Sequence, residues 1–308
     1  MTAVPVLEIG GTHVTAALVD LARPRPRAAG TVRLPLDAHA GAAALLDTVA
    51  TAGRRVGAPA GSVWGVAVPG PFDYPAGVGR FRDVGKFESL NGVDVGAELT
   101  ARLPARPRAL AFLNDADAFA LGEYHAGAAA GRRRALGITL GTGVGTSFLD
   151  AGAPVTEGPL VPPDGRAHLL SIDGRPLEDV VSRRAIRARY ARLAGPRAGN
   201  PDVREIAGLA RTGEAAAAAT LRHCFEALGR ALAPWCARFR PDVLVAGGSL
   251  TASWDLIAPP LRAGLAATGE SLPAGMELRP AAQPHDAPLV GAAHWAERSA
   301  AGRPGVRL

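Results

Sequence analysis

Only two cysteines occur in 308 residues, Cys224 and Cys236, twelve positions apart within one stretch of helical character. Such a pair makes no disulfide framework, and both are expected in the core. Lysine is almost missing as well: Lys86 is the only one, so the formal charge of +6 rests on arginine. The arginines form neither a stripe nor a nucleic-acid-binding motif, which argues against a nucleic-acid partner and leaves a modest attraction for anions. No apolar run approaches the ~20 residues of a membrane span. The start, Met1-Thr2-Ala3-Val4-Pro5, lacks the basic and apolar regions of a secretory signal. The expectation is a soluble, cytoplasmic protein with no membrane partner.

What is present is the composition of a globular chain, 48% hydrophobic and 20% charged. The length exceeds one ordinary core and suits two domains with a cleft. Val4 to Ile9 and Val14 to Val19 read as strands joined by Gly10-Gly11-Thr12. A helix is expected over Ala40 to Val56, where Gly57 and Pro59 stop it, and a strand over Val63 to Val68. Residues 94 to 103 read as a helix, Leu110 to Leu113 as a strand and 116 to 126 as a helix, the alternation of an α/β fold. Leu136 to Leu140 and Thr146 to Leu149 then flank Gly141-Thr142-Gly143-Val144-Gly145, repeating the opening design about 130 residues later. That repetition points to internal duplication. Beyond residue 176 the pattern is helical through Glu178 to Leu193, Val203 to Arg211 and Gly213 to Arg238, before a strand, Val243 to Ala246, runs into Gly247-Gly248.

The glycine turns are the first candidates for chemistry. Without side chains, backbone N–H groups approach an anion closely and form a concave nest. An ordinary hairpin turn uses the same residues at Gly10-Gly11-Thr12. Three glycines at alternate positions in the second turn, though, exceed what a tight hairpin needs. Neither turn is a Walker A loop or a dinucleotide fingerprint, because no Gly-Lys-Ser/Thr occurs and no helix follows. The second candidate is Asn114-Asp115-Ala116-Asp117-Ala118, where a strand ends and a helix begins. One of these residues can simply cap the helix. Ligands also gather at the carboxyl ends of strands in α/β sheets, where a carboxylate such as Asp115 can accept a proton from a bound hydroxyl. A helix N-terminus favours its ionised form, and phosphoryl transfer asks more for alignment than for a strong base.

Four motifs in order give a resemblance to the ROK family of sugar kinases, in the superfamily of actin and hexokinase. Glu8-Ile9-Gly10-Gly11-Thr12 resembles the family's first phosphate motif, and Leu113 to Ala118 its catalytic segment. Leu140 to Thr146 resembles the second phosphate motif, and Leu244 to Leu250 the adenosine motif. Leu177-Glu178, Ser182 and Ala185-Ile186 resemble the stretch after the sugar site. The resemblance implies a two-domain actin-like, ribonuclease H-like α/β fold with sugar and nucleotide in the cleft between domains. It implies domains of residues 1–113 plus about 290–308, and 114–289. It further implies Asp115 as catalytic base, with Asn114, His168 and Glu178 holding sugar hydroxyls. Gly10, Gly11, Thr12, Gly141, Thr142, Gly143, Gly247 and Gly248 are then expected around ATP, with Mg2+ placed by Glu8. The expected acceptor is a hexose or amino-hexose at its 6-hydroxyl, and the expected assembly a homodimer.

Three departures from the family pattern stand out. Glu8 replaces an aspartate, a longer arm that can still reach magnesium through water, since that ion keeps several waters. Gly165-Arg166-Ala167-His168 replaces Glu-x-Gly-His, and no cysteine follows. Structural zinc takes about four ligands, so a zinc-free branch is expected. Gly165 also removes a glutamate that touches the sugar, so that Arg166 either meets a substituent of a different substrate or is a surface arginine in a loop. Repressor members carry a helix-turn-helix ahead of the first phosphate motif; here that motif begins at residue 8, and no such domain is expected. A catalytically weak sugar or nucleotide sensor and a polyphosphate-dependent glucokinase are the alternative readings.

Overall fold

The structure, a computed structural model, describes residues 3–23, 28–103, 106–196 and 199–302. The chain forms two compact units, Met1–Gly127 with Gln283–Leu308, and Ala128–Ala282. The first holds strands β1 (Ala3–Ile9), β2 (His13–Asp20), β3 (Ala28–Pro35) and β4 (Val63–Val68), with helix α1 (Ala42–Arg55) before β4. The two-residue strands β5 (Phe72–Asp73) and β6 (Val78–Gly79) follow, then α2 (Val95–Arg102), β7 (Ala109–Asn114) and α3 (Asp115–Ala126). The sheet runs β3-β2-β1-β4-β7, antiparallel across the first three strands and parallel across the last three.

Strand β4 is apolar along nearly its whole length because both faces of the sheet are covered there. Successive side chains point to opposite faces, and Trp64 lies against Gly53 of α1 whereas Gly65 lies against Ala292 of the helix Ala287–Ala300. That helix crosses α3 at very short range. A methyl group at Gly122 would collide with the Ala287 carbonyl, and one at Gly291 with the Ala118 carbonyl. This contact explains why the units divide after Gly127 and before Gln283, in place of the boundaries expected after 113 and near 290. Helix α3 follows β7, whose last residue caps it, into the first unit. Residues 303–308 of the expected C-terminal segment lie outside the described residues.

The second unit repeats the plan. Its strands are β8 (Arg134–Leu140), β9 (Val144–Asp150) and β10 (Ala153–Pro154), followed by the short pair β11 (Ser171–Ile172) and β12 (Arg175–Pro176). Helices α4 (Glu178–Val181), α5 (Arg183–Ala194), α6 (Val203–Arg211) and α7 (Ala215–Phe239) precede β13 (Val243–Gly247), α8 (Trp254–Ala266) and β14 (Glu277–Pro280). The chain then returns to the first unit as α9 (Ala287–Ala300). The sheet order, β10-β9-β8-β13-β14, has the same antiparallel and parallel steps as the first sheet. The duplication read from the two glycine hairpins is therefore a duplication of whole sheets, as the actin-like α/β fold requires.

Where one helix was expected over Glu178 to Leu193, the structure breaks at Ser182, which is extended at φ −64, ψ 160 and whose side chain caps α5 by accepting from Ala185 N at 3.3 Å. The Arg183 N–H donates to the Gly141 carbonyl at 3.0 Å, so the break ties α5 to the second glycine turn. Helix α7 buries Leu221, Cys224, Phe225, Leu228, Leu232, Cys236 and Phe239, the three-and-four spacing of a core-facing stripe. Burial pushes both thiols up to about 12. Neither is a thiolate at neutral pH. A disulfide-exchange thiol reagent should therefore leave the folded protein unlabelled and modify both cysteines in denaturant; labelling at native pH 8 would place a cysteine at the surface.

Candidate active site

In the first unit, the parallel strands β1, β4 and β7 end side by side. Glu8 is level with Ala67 of β4, and Val68 is level with Asn114 of β7. Asn114 is buried at 7% exposure, and its side chain caps α3 by accepting from Ala116 N at 3.0 Å. Its amide donates to the Tyr74 hydroxyl at 2.9 Å, and that hydroxyl reaches the Val68 carbonyl at 3.4 Å. Capping is thus the work of Asn114. Asp115 is left at the first position of the helix, exposed, with Oδ1 accepting from Ala116 N at 2.9 Å. Tyr74 had no signal in the sequence, because it reaches Asn114 across 40 residues.

Glu8 is opposite Thr15 in the β1–β2 pair, and its carboxyl accepts a hydrogen bond from that residue. Burial pushes the Glu8 carboxyl up to about 7, and the charge of Asp115 adds to the rise. Arg33 and the Thr15 hydrogen bond pull it back down in part. Two carboxyl groups that repel each other in a partly dry setting form a set of hard oxygen donors suited to a divalent cation. Among the described residues no three His, Cys, Asp or Glu side chains gather. A metal held here would complete its shell from waters or phosphate oxygens.

The first glycine turn is closed by the Gly10 N–H donating to the His13 carbonyl at 2.8 Å. Gly11 and Thr12 are exposed. A methyl group added at Gly11 meets nothing within 4 Å, and its backbone is not left-handed. The fold itself does not demand glycine there.

In the second unit, β8 and β13 run parallel, Gly247 level with Thr139. Their ends bring the turn Gly141–Gly145 beside Gly248 and the short 3-10 segment Ser249–Ser253; a methyl at Gly141 would lie 3.7 Å from Ser249 Oγ. Gly248 stands at φ 91, against the Leu140 backbone, where no side chain fits. Thr142 is exposed at the tip. Glu178, expected on the sugar, is engaged with this turn: its Oε1 accepts from Val144 N at 2.8 Å. A methyl at Gly143 would collide with that same oxygen. Gly143→Ala should therefore displace Glu178, lower the melting temperature and weaken nucleotide binding; unchanged nucleotide affinity, measured by calorimetry, would separate the turn from the nucleotide.

The loop after β10 is organised by Thr146, fully buried just behind the same turn. Its hydroxyl donates to the Gly165 carbonyl and accepts from Ala167 N, both at 2.8 Å, and its carbonyl accepts from Arg166 Nη1 at 2.9 Å. Arg166 is therefore half-buried and bound to the backbone, neither a free surface arginine nor an open cation. Gly165 stands at φ 67 with space for a methyl only 3.0 Å from the Val155 carbonyl. Glutamate at this position would be strained, so the departure from the family pattern belongs to the path of this loop. His168 follows on the segment Ala167–Leu169 and is exposed. Among the described residues no helix is long and apolar enough to cross a membrane.

Comparison with known proteins agrees with this fold. The chain is 30% identical over 220 residues to a glucokinase of Thermotoga maritima, a match covering 64% of this chain and 67% of the relative. The crystal structure of a ROK hexokinase from Thermus thermophilus superposes with a TM-score of 0.76 at 25% identity, over 98% of this chain and 100% of that one. A ROK family glucokinase from Streptomyces griseus, solved with glucose and AMPPNP, shares the fold with a TM-score of 0.73 at 22% identity, over 96% and 99% of the two chains. The model of the ROK family matches residues 5–159 and 173–299, taking in the strands and glycine turns of both sheets, and the chain belongs to the ROK family.

Proposed function

We propose that this protein is a sugar kinase that transfers the terminal phosphate of ATP to a hydroxyl, the 6-hydroxyl, of a hexose or amino-hexose. The observation that carries the reading is Asp115: an exposed carboxylate at the end of a parallel strand, on a helix N-terminus, whose structural duty has been taken over by Asn114. In this reading Asp115 accepts the proton of the attacking hydroxyl, while Asn114, His168 and Glu178 hold other hydroxyls of the sugar. Glu178 does so with the oxygen not bound to Val144, which makes it a link between sugar and phosphate turn. The bare turns at Gly10-Gly11-Thr12 and Gly141-Thr142-Gly143 receive phosphates through backbone N–H groups, and Gly247-Gly248 lies beside the nucleoside. Glu8 is the residue that would hold Mg2+, which when bound neutralises charge on the phosphates. Homodimeric assembly and a cytoplasmic location belong to the same reading.

One observation favours a second reading, a sugar or nucleotide sensor with weak catalysis. Glu8 is held near 7, so that much of it is protonated at neutral pH and a poorer metal ligand. An ADP-release screen of hexoses and amino sugars with ATP, repeated as product formation with polyphosphate, separates the readings. The kinase reading expects sugar-dependent turnover with ATP. Sugar binding without turnover on either donor would favour the sensor, and turnover on polyphosphate alone would change the donor.

A further inference from the structure

The sequence suggested no clustering of arginine, but folding creates one in the second unit, on residues the kinase reading does not use. A cavity of about 250 Å³ is lined by Arg175 of β12, Asp179 of α4, Arg184, Arg189 and Arg192 of α5, and His223 of α7. Positions 184, 188 and 192 fall on one face of α5, with 185 and 189 beside them. Ala185 and Ala188 are short, so the wall between the guanidinium groups is hollow. Asp179 is the only carboxylate in the lining, and it is already committed: its side chain pairs with Arg184 while its backbone carbonyl accepts from Arg175 Nη2 at 2.9 Å.

Four positive charges therefore face one negative charge. Among the described residues, Arg189 and Arg192 meet no carboxylate and donate no hydrogen bond, and Arg189 Nε is buried without an acceptor. A buried guanidinium N–H without a partner is costly, and a bound acceptor would relieve that cost. The local field is felt by its neighbour: burial first, then Arg189 and Arg230, lower the basicity of His223, against a weaker opposing pull from Asp173 and Glu226. The cavity is smaller than the roughly 300–1,000 Å³ that enclose drug-sized ligands. Guanidinium forks match the oxygens of phosphate with two parallel bonds.

We propose that this cavity is a binding site for a compact phosphate-bearing anion, held by Arg189 and Arg192 with Arg175 and Arg184 at its rim. The cavity residues adjoin in the chain the residues that hold the second glycine turn: Asp179 follows Glu178, which accepts from Val144 N, and Arg183, beside Arg184, donates its N–H to Gly141. Occupancy would thus be felt at the second glycine turn. Inorganic phosphate, a hexose 6-phosphate and tripolyphosphate share the chemistry the cavity recognises and are the three probes.

Calorimetric titration of the full chain at low salt, without nucleotide, tests the site through binding and is independent of whether the protein turns over sugar. At least one probe should bind, about tenfold more weakly for each of Arg189→Gln and Arg192→Gln, since a hydrogen bond to a charged group is worth roughly that factor. Arg204→Gln, an exposed arginine of α6 outside the cavity, should leave affinity unchanged. Arg192 is exposed, so its replacement keeps the test open should Arg189→Gln not fold. The strongest of the three probes identifies the source of the phosphate. Affinity that survives both replacements would belong to the glycine turns and overturn the proposal, as would failure of all three probes to bind.

Discussion

Asp115→Asn should lower kcat by about 10²–10⁴-fold, the range that a positioned general base contributes, while sugar affinity stays within a few-fold. The substitution isolates chemistry from structure. Asn114 caps α3 and keeps its bonds to Ala116 and Tyr74, and an asparagine at 115 retains an oxygen able to accept from Ala116 N. What disappears is the ability to take a proton, and a negative charge at the helix N-terminus worth roughly 0.3–1 kcal/mol. The melting temperature should therefore move by only a few degrees. Loss of turnover in a well-folded variant that binds sugar is the expected result. Retained turnover would remove Asp115 from the reaction.

The second large effect concerns Glu8. The folded protein keeps a proton on this carboxyl up to a pH of about 7, whereas the unfolded chain gives it up near 4.5. Unfolding then releases a proton between those values, so stability falls as pH rises through that window and levels off above it. At about 1.4 kcal/mol per pKa unit the loss approaches an order of 3 kcal/mol above pH 7. Glu8→Gln carries no such charge. In metal-free urea denaturation its stability relative to the parent should rise from pH 4.5 to 7, and magnesium at pH 8 should stabilise the parent more than the variant. Parallel pH curves would show that Glu8 ionises freely.

The fold was largely open to reading because each sheet announces itself twice. Apolar strands with glycine hairpins recur in the same order, and helices such as α1 and α7 carry apolar spacing that nothing contradicts. Contacts between distant residues were closed to it. The break at Ser182 depends on Arg183 meeting Gly141, and the place of α3 in the first unit depends on Gly122 and Gly291 meeting the facing backbones. Candidate residues were found by type, but their duties were assigned only by neighbours. Asn114 also caps α3, Glu178 also tethers Val144, and Arg166 clamps backbone; Tyr74 carried no local signature, and Thr146 none beyond its place at the end of the second glycine motif. The arginine cavity draws on four separate elements and was equally hidden.

The most direct test of the central claim is 31P NMR of the protein incubated with ATP, magnesium and the best-binding hexose. The account predicts loss of the γ-phosphate resonance matched by a new phosphate monoester, and no such signal with Asp115→Asn. Binding of the hexose with the ATP resonances unchanged, or their decay to inorganic phosphate alone, would contradict it.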